Sequence, residues 1–492
     1  MTAPPPDPGA DTPGAPGPPP PDPAIPGSPA AAGIPPRAFV PRTDGATAGV
    51  VPPGVVPAGE PTPPDGPAVD RPSREGRAGG RPAAAGATGG GAGPVDPLAP
   101  RVRARHLGLA IAAMALGGFT IGVTESGTMG LLPQIAEGVG ATIPQAGRLI
   151  SAYALGVVVG APLLAIVGSR WPRKGFLVGL ACLQAALHLA TVLVASYPVL
   201  LGLRFLAGFP HGALMGTAAL IAADLVPRPQ RAWAVAMLLL GIPVASIAGV
   251  PVAVALGQAF GWRMLYVVVG LLALSCAIGS AVFVPRIPPE PDAPSLLGQL
   301  GVLARPQVLL ALAIPTVGFG GAFATMSYIA PTLMEVTGMA AATVPLVMAC
   351  YGIGAAAGSF VAAWLARAGV ARALVLAFAF IVTVLLLFGF AVQWAPTAVL
   401  AVAALGTASS TIVPLLQTRL MEVAHGGQAL AASLNHATLN IGNATGALVG
   451  GAVLATGLGY TWPSRAGAVL AALGLAVAVV AFVLDRRRPA GE

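Results

Sequence analysis

Charged residues are scarce in this 492-residue chain: Asp, Glu, Lys and Arg together make up 9% of it, against about 25% in an ordinary soluble domain. Aromatic residues are also few, at 5%, although hydrophobic residues reach 55% and the mean hydropathy is +0.80. The apolar mass is therefore Ala, Val, Leu and Gly, and such small residues let helices pack closely in lipid. These shortages exclude a soluble protein and favour a bundle of membrane helices.

Metal-binding and catalytic motifs are also missing. The three cysteines, Cys182, Cys276 and Cys350, lie in apolar runs without the spacing of metal ligands. Gly-x-Ser-x-Gly, His-Glu-x-x-His and phosphate-binding Gly-Lys motifs do not occur, which argues against a membrane enzyme. The basic residues beyond the first hundred positions form short clusters without interleaved aromatics, which argues against nucleic-acid binding despite a net charge of +8. We therefore predict no metal and no cofactor.

The first hundred residues differ from the rest, since they hold 28 of the 51 prolines, with Gly and Ala at most other positions. Such a segment cannot bury enough apolar surface to offset its chain entropy. Residues 1–105 are therefore predicted to be a disordered, partly polyproline II tail in the cytoplasm. A docking arm for proline-binding modules, a dispensable extension and a misassigned start codon are the interpretations that remain open.

Beyond the tail, apolar stretches recur between residues 107 and 484, each about 20 residues long and so able to cross the ~30 Å hydrocarbon core as a helix. Pro315 and Pro414 interrupt two of them, which membrane helices tolerate. The chain is thus predicted to be an all-α integral membrane protein. The twelve predicted spans are 107–129, 145–168, 175–195, 199–223, 232–256, 263–284, 307–330, 345–366, 372–392, 396–417, 429–454 and 465–484.

Basic residues indicate how these helices are oriented. An even number of spans places both termini on one side of the membrane, and that side collects sixteen Lys and Arg residues, including Arg419 just beyond the tenth span. The opposite side has only Arg148, Arg263 and Arg465. Because cytoplasmic loops are enriched in Lys and Arg, both termini are predicted to lie in the cytoplasm and the protein in the cell membrane.

The two halves of the membrane region repeat each other. At an offset of 197 to 198 residues, a Tyr, two Gly and a terminal Arg of the second span coincide with those of the eighth. At an offset of 201, a glycine stripe of the fifth span falls on one of the eleventh. Residues four apart share a helix face, so each stripe offers another helix a close-packing groove, either static or sliding. The stripes comprise Gly241 and Gly249, and Gly442, Gly446 and Gly450.

This repeat predicts two parallel six-helix bundles, with cargo bound between them near the middle of the membrane. The first bundle is predicted at 106–285 and the second at 307–485. A cytoplasmic linker at 286–306 joins them, and a basic cytoplasmic tail follows at 486–492.

Four stretches, taken in order, carry a resemblance to a known family. They are Thr124-Glu125-Ser-Gly-Thr-Met-Gly-Leu-Leu-Pro133, Gly168-Ser169-Arg170-Trp-Pro172-Arg173-Lys174, Arg204-Phe-Leu-Ala-Gly208, and Asn435-His436-Ala-Thr-Leu-Asn440-Ile-Gly442-Asn443. With them, residues 105–485 resemble the twelve-helix drug:proton antiporters of the major facilitator superfamily, within its chloramphenicol-resistance and arabinose-efflux-like branch. The resemblance implies two pseudo-symmetric six-helix bundles that transport by alternating access. The chain departs from the pattern at Ser126, Ser169 and Pro172, where an aromatic residue, Asp and Gly are usual.

Glu125 is the only acid beyond the tail that is placed within a predicted span. A carboxylate there costs a few kcal/mol or more unless it faces water, is paired or is protonated. That cost makes Glu125 a candidate proton carrier. The alternative is that it lies near the outer interface and is merely solvated.

Arg204 is the only basic residue placed wholly inside a span, and because Arg keeps its charge it must face a cavity or a partner. His211, seven residues on, lies on nearly the same helix face two turns further along. We predict that Arg204 lowers the cost of ionising Glu125 or holds a polar cargo group, with His211 relaying protons or hydrogen-bonding. Bonds from Arg204 to backbone carbonyls and an ordinary buried histidine are the alternatives.

Two further groups complete the predicted machinery. Amides and an imidazole in the eleventh span suit a cavity for uncharged polar cargo, or else form interhelical hydrogen bonds. A basic loop is predicted to pair with helix C-termini across the two halves and close the cytoplasmic side, or else only anchors the topology. The cavity residues are Asn435, His436, Asn440 and Asn443, and the gate residues are Arg170, Arg173 and Lys174.

Together these features predict a secondary active transporter that exports a small neutral or amphiphilic drug of the phenicol type, an antibiotic, in exchange for protons. Its partners are then the lipid bilayer, protons and the small-molecule substrate, with no nucleic acid and no obligate protein partner. A sugar or metabolite exporter of the same fold remains open. So does a non-transporting scaffold or sensor, in which Glu125 would be replaceable.

Overall fold

The computed structural model describes residues 104–168, 171–286, 301, 303–424 and 428–486. Within these ranges the secondary structure is helical, without a β-strand. Nearly all of the predicted tail, most of the predicted linker and Arg170 of the predicted gate lie outside the described residues.

Twelve helices follow the twelve predicted spans. Eleven segments of the described chain are long and apolar enough to cross a membrane. The remaining helix, α11, has 28 residues. At 1.5 Å per residue its length exceeds the thickness of the hydrocarbon core. Ten helices are continuous: α1 (Ala104–Gly130), α2 (Ile143–Gly168), α3 (Arg173–Val192), α4 (Tyr197–Asp224), α6 (Arg263–Phe283), α8 (Val344–Ala366), α9 (Val370–Ala391), α10 (Ala395–Val423), α11 (Gln428–Ala455) and α12 (Trp462–Arg486).

The fifth span, α5, contains a wide turn. It runs through Arg231–Leu239, Gly241–Val244, a π-helical turn at Ala245–Gly249 and then Val250–Phe260. Pro251 follows that turn almost directly. A proline inside a helix has no N–H to donate and crowds the carbonyl four residues earlier. The wider turn accommodates this crowding without ending the span.

The seventh span, α7, is broken, although not at its proline. It consists of Pro306–Gly318, Gly320–Met326 and Ile329–Glu335. Pro315 lies inside the first of these pieces and Pro414 lies inside the continuous α10. The first break falls at Phe319, between two glycines, which lose more conformational freedom in a helix than other residues do.

The helix α10 is longer than the predicted span. The predicted span stops at residue 417, whereas α10 continues to Val423 and contains Arg419. Arg419 is 8% exposed and donates to Asp485 Oδ2 of α12 (2.8 Å) and to Gln307 Oε1 of α7 (3.2 Å). Arg419 therefore lies in the last turns of α10, where side chains of two neighbouring helices accept its hydrogen bonds.

The internal repeat is visible as two equivalent helix pairs. Gly208 of α4 approaches α2 so closely that a Cβ on it would overlap the carbonyl oxygen of Tyr153. Gly406 of α10 approaches Tyr351 of α8 in the same way. Tyr153 and Tyr351 are also the tyrosines that coincide in the sequence repeat. The chain folds as two pseudo-symmetric bundles, α1–α6 and α7–α12.

Both glycine stripes pack helices of the same half. Gly241 and Gly249 of α5 lie against α1, whereas Gly442, Gly446 and Gly450 of α11 lie against α7. At Gly241 and Gly446 the neighbour is a backbone carbonyl oxygen that any Cβ would overlap. The stripes therefore let backbones approach within each bundle, not between the two.

The two halves meet toward the end of the helix bundle opposite the start of α1 and the end of α12. Ser151 Oγ of α2 donates to the Ala444 carbonyl of α11 (3.0 Å), and Gln258 Nε2 of α5 donates to the Ala341 carbonyl just before α8 (2.7 Å). Tyr328, at the second break of α7, is fully buried between α2 and α11, where its ring lies over Gly147. We call the contacts of Gly147, Ser151, Gln258 and Tyr328 the distal seal.

Candidate functional site

Glu125 lies where the two halves meet. Its carboxylate oxygen Oε1 accepts a hydrogen bond from Asn443 Nδ2 of α11 (2.9 Å). Asn443 is buried, whereas Glu125 is partly exposed. The structure thus joins a residue predicted to carry protons with one predicted to bind cargo, and it does so across the boundary between the bundles.

Arg204 is held inside the first half by an unusual set of neighbours. It is 1% exposed, and its Nη1 donates to Thr124 Oγ1 (3.1 Å), the residue before Glu125. The guanidinium lies 4.4 Å from the ring centre of Tyr153 and 5.6 Å from that of Tyr266. Among the described residues, no carboxylate lies within 4 Å of its nitrogens. Cation–π contacts and one hydroxyl, not the alternative of backbone carbonyls, hold this charge.

Tyr153 connects Arg204 with His211. Its ring lies under the guanidinium, and its hydroxyl is 3.2 Å from His211 Nδ1. His211 is buried. A line of polar side chains therefore runs from Arg204 through Tyr153 to His211.

The four predicted cavity residues of α11 do not form one group. Asn435 Nδ2 donates to Gln417 Oε1 of α10 (2.7 Å), so this amide is an interhelical contact within the second half. Asn440 Nδ2 donates to the His436 carbonyl (2.9 Å), and its buried Oδ1 has no protein partner. The His436 side chain is exposed. Of the four, His436, Asn440 and Asn443 retain groups that a bound molecule could contact.

Of the predicted gate residues, Arg173 forms an ion pair within the first half. Arg173 forms an ion pair with Asp224 at the end of α4, and Arg231 Nη2 lies 3.7 Å from the same carboxylate. Lys174 is partly exposed. Arg173 and Asp224 both belong to the first bundle, so this ion pair does not join the two halves. The pairing of the gate residues across the halves stays a prediction.

Tyr153 and Thr124 are the site residues that sequence reasoning missed. The sequence repeat had singled out Tyr153, together with Tyr351, but as a marker of duplication rather than as part of a site. Thr124 could have been found from the sequence only through its position one residue before Glu125. Within the described residues, no group of three or more His, Cys, Asp or Glu could hold a metal ion.

Comparison with known proteins identifies the family. The profile of the Major Facilitator Superfamily matches residues 114–431 and, in an overlapping match, residues 327–492. The chain belongs to this superfamily. It is a multi-pass membrane transporter of that superfamily, not an enzyme.

Two relatives place the chain within the superfamily. The inner membrane transport protein YdhP of Escherichia coli (strain K12) is 36% identical over 77% of this chain and 96% of that protein. A chloramphenicol resistance protein of Streptomyces lividans is 33% identical over 75% of this chain and 94% of that protein. These similarities confirm the superfamily and the branch that the four sequence stretches indicated.

Solved structures of the superfamily share the fold. A bacterial homologue of the human lysosomal transporter Spinster, in an inward-facing and unoccupied conformation, superposes with a TM-score of 0.63. The match covers 79% of this chain and 100% of that one, at 16% sequence identity. At that identity the similarity concerns the superfamily fold alone.

Proposed function

We propose that this transporter exports small neutral or amphiphilic molecules of the phenicol type in exchange for protons, by alternating access between its two bundles. The observation that carries the proposal is the hydrogen bond between Glu125 of the first half and Asn443 of the second. Any movement that separates the halves at this point changes the surroundings of the one acid found deep in a described span.

Protonation of Glu125 weakens the contact between the halves. An ionised carboxylate accepts a charge-assisted hydrogen bond, which is roughly twice as strong as a neutral one. When Glu125 binds a proton, its bond to Asn443 loses that assistance, and the conformation in which the halves separate on the distal side becomes more favourable. Because the two conformations hold the proton with different free energies, a proton gradient can drive the cycle.

Cargo binds on the terminal side of this contact. The distal seal is closed, whereas His436 is exposed and the side-chain oxygen Oδ1 of Asn440 has no protein partner. These groups donate and accept hydrogen bonds without adding a charge, which suits an uncharged molecule with hydroxyl or amide groups. The chloramphenicol resistance protein among the relatives supports a phenicol-type cargo.

The direction of transport follows from the proposed orientation. The side that carries the termini has far more Lys and Arg than the other side, which supports a cytoplasmic position for this side in a cell-membrane protein. The described conformation then receives cargo from the cytoplasm. In the opposite conformation, the loop of Arg170, Arg173 and Lys174 closes the cytoplasmic side.

Replacement of Glu125 tests the proton step. Glu125→Gln keeps an oxygen that can accept from Asn443 but removes the ionisable group, so the fold and the contact between halves should survive. In everted membrane vesicles, we expect this variant to equilibrate labelled chloramphenicol down its gradient but not to accumulate it when respiration acidifies the lumen. The matched control is Glu422→Gln, which replaces an acid near the end of α10 whose side chain is 46% exposed. Full accumulation by Glu125→Gln would remove Glu125 from the mechanism.

A further inference from the structure

A groove runs along the outside of the molecule at the boundary between the halves. It has a volume of about 500 Å³ and lies between α2 and α4 of the first bundle and α11 of the second. Its walls are mostly apolar and include Leu155, Leu201, Phe205 and Leu448. Leu155 and Leu448 are more than two-fifths exposed, as expected for side chains that face acyl chains rather than the protein interior.

Arg148 supplies the charge in this groove. It lies on α2 a few residues after Ile143, near the distal end of the helix, and it lines both the groove and a neighbouring pocket of about 250 Å³. Its side chain is exposed, and among the described residues it has neither a carboxylate within 4 Å nor a hydrogen-bond acceptor. A charge in a membrane span is costly unless it is paired or reaches the interface.

The other two distal arginines have different surroundings. Arg263 donates to the carbonyls of Val192 and Val194 at the end of α3. Arg465 lies over the ring of Trp462, with its guanidinium 4.6 Å from the ring centre. Of these three described arginines, only Arg148 combines an unpaired guanidinium with the apolar groove beside it.

We propose that this groove binds one anionic phospholipid of the outer leaflet, with its phosphate on Arg148 and an acyl chain along the apolar walls. Charge complementarity selects the headgroup, since an anionic lipid supplies the negative charge that the protein lacks here. The leaflet follows from the proposed orientation of the termini. Because the walls come from both bundles, a lipid in the groove holds α2 against α11 and stabilises the closed distal seal.

Two pairs of variants separate the headgroup contact from the acyl contact. Arg148→Gln removes the charge, and Arg465→Gln is its control at another exposed distal arginine. Gly202→Leu is designed to fill the groove, and a Cβ at Gly202 meets no protein atom within 4 Å. Gly216→Leu is its control, because Gly216 is an exposed glycine of the same helix, equally open and outside the groove.

Native mass spectrometry of the full chain, titrated with phosphatidylglycerol or phosphatidylcholine of identical acyl chains, measures both contacts. We expect wild-type protein and both controls to bind one phosphatidylglycerol about fivefold more tightly than phosphatidylcholine, the effect of one basic residue near an anionic headgroup. Arg148→Gln should abolish this preference, and Gly202→Leu should weaken the binding of both lipids.

Three results would overturn the proposal. The first is a phosphatidylglycerol preference that survives Arg148→Gln. The second is displacement of the lipid by millimolar inorganic phosphate, which would indicate a site for free anions. The third is displacement by chloramphenicol, which would make the groove a path for cargo. A thermal unfolding measurement on each variant separates loss of the lipid from loss of the fold.

Discussion

Gly147→Ala should open the distal seal. A Cβ at this position overlaps the hydroxyl and the ring of Tyr328. Tyr328 is fully buried, its hydroxyl donates to the Ala447 carbonyl (2.7 Å), and its other edge lies against Gly450 of α11. The ring can therefore make room for the new methyl group only by breaking its hydrogen bond or by pushing α11 away from α2.

The size of the effect follows from these two contacts. Losing a buried hydrogen bond costs about 1–3 kcal/mol, and overpacking a well-filled contact costs about 1–3 kcal/mol. Both costs arise only in the conformation in which α2 and α11 are packed together. Either cost, taken at about 2 kcal/mol, shifts the balance between closed and open seal by about 30-fold toward the open form.

Cysteine labelling from outside the cell measures this shift. In a background without the three native cysteines, Ala444→Cys places a thiol in the seal, where Ala444 is 2% exposed. A membrane-impermeant maleimide should react up to about 30-fold faster when Gly147→Ala is added. The control is Gly179→Ala on α3, where a Cβ meets no atom within 4 Å.

The companion change Tyr328→Leu shortens the side chain that the new methyl group overlaps. In the double variant Gly147→Ala/Tyr328→Leu, the labelling rate should return toward that of the control. A double-mutant cycle would show this return as coupling between the two positions. Equal labelling of Gly147→Ala and Gly179→Ala, in protein that is folded and in the membrane, would refute the assignment of the seal.

Three other outcomes are expected. Arg204→Lys should lower the rate of proton-driven transport severalfold, because an ammonium group lacks the planar guanidinium that stacks on Tyr153; unchanged transport kinetics would reduce Arg204 to a charge anchor. Asp485→Asn should lower the free energy of unfolding by about 1–2 kcal/mol, since it leaves the buried Arg419 with a weaker acceptor; an unaltered melting temperature in detergent would contradict this. Deleting residues 2–95 should leave vesicle transport unchanged, and a loss of transport would assign the tail a function.

The helices could be predicted from the sequence, because hydropathy over about 20 residues is a local property. Glu125 and Arg204 could be recognised for a similar reason, since a charge inside an apolar run is visible without knowledge of the fold. Long-range contacts could not. Asn443 and Glu125 are 318 residues apart, and only the contact between the two bundles brings them together.

Arg419 and Tyr153 illustrate two further limits. Arg419 follows the end of an apolar run, so a hydropathy pattern places it in a loop, while its partners Asp485 and Gln307 belong to other helices. Tyr153 is an aromatic residue on a helix, and such residues most often only pack. Its role beside Arg204 depends on the approach of α4 to α2, which Gly208 allows.

The assignment of residues to halves determines which bonds a transport cycle has to break. Glu125 on α1 and Arg204 on α4 both belong to the first bundle. The two opposite charges therefore stay together when that bundle moves relative to the second. The partner that moves relative to them is the uncharged amide of Asn443. Parting a carboxylate from an amide costs about 1.5–3 kcal/mol, whereas stripping one charge from a buried ion pair costs about 3–5 kcal/mol. In the proposed cycle, Glu125 and Arg204 therefore stay in the same half, and the bond that breaks and re-forms is one weak enough to reverse.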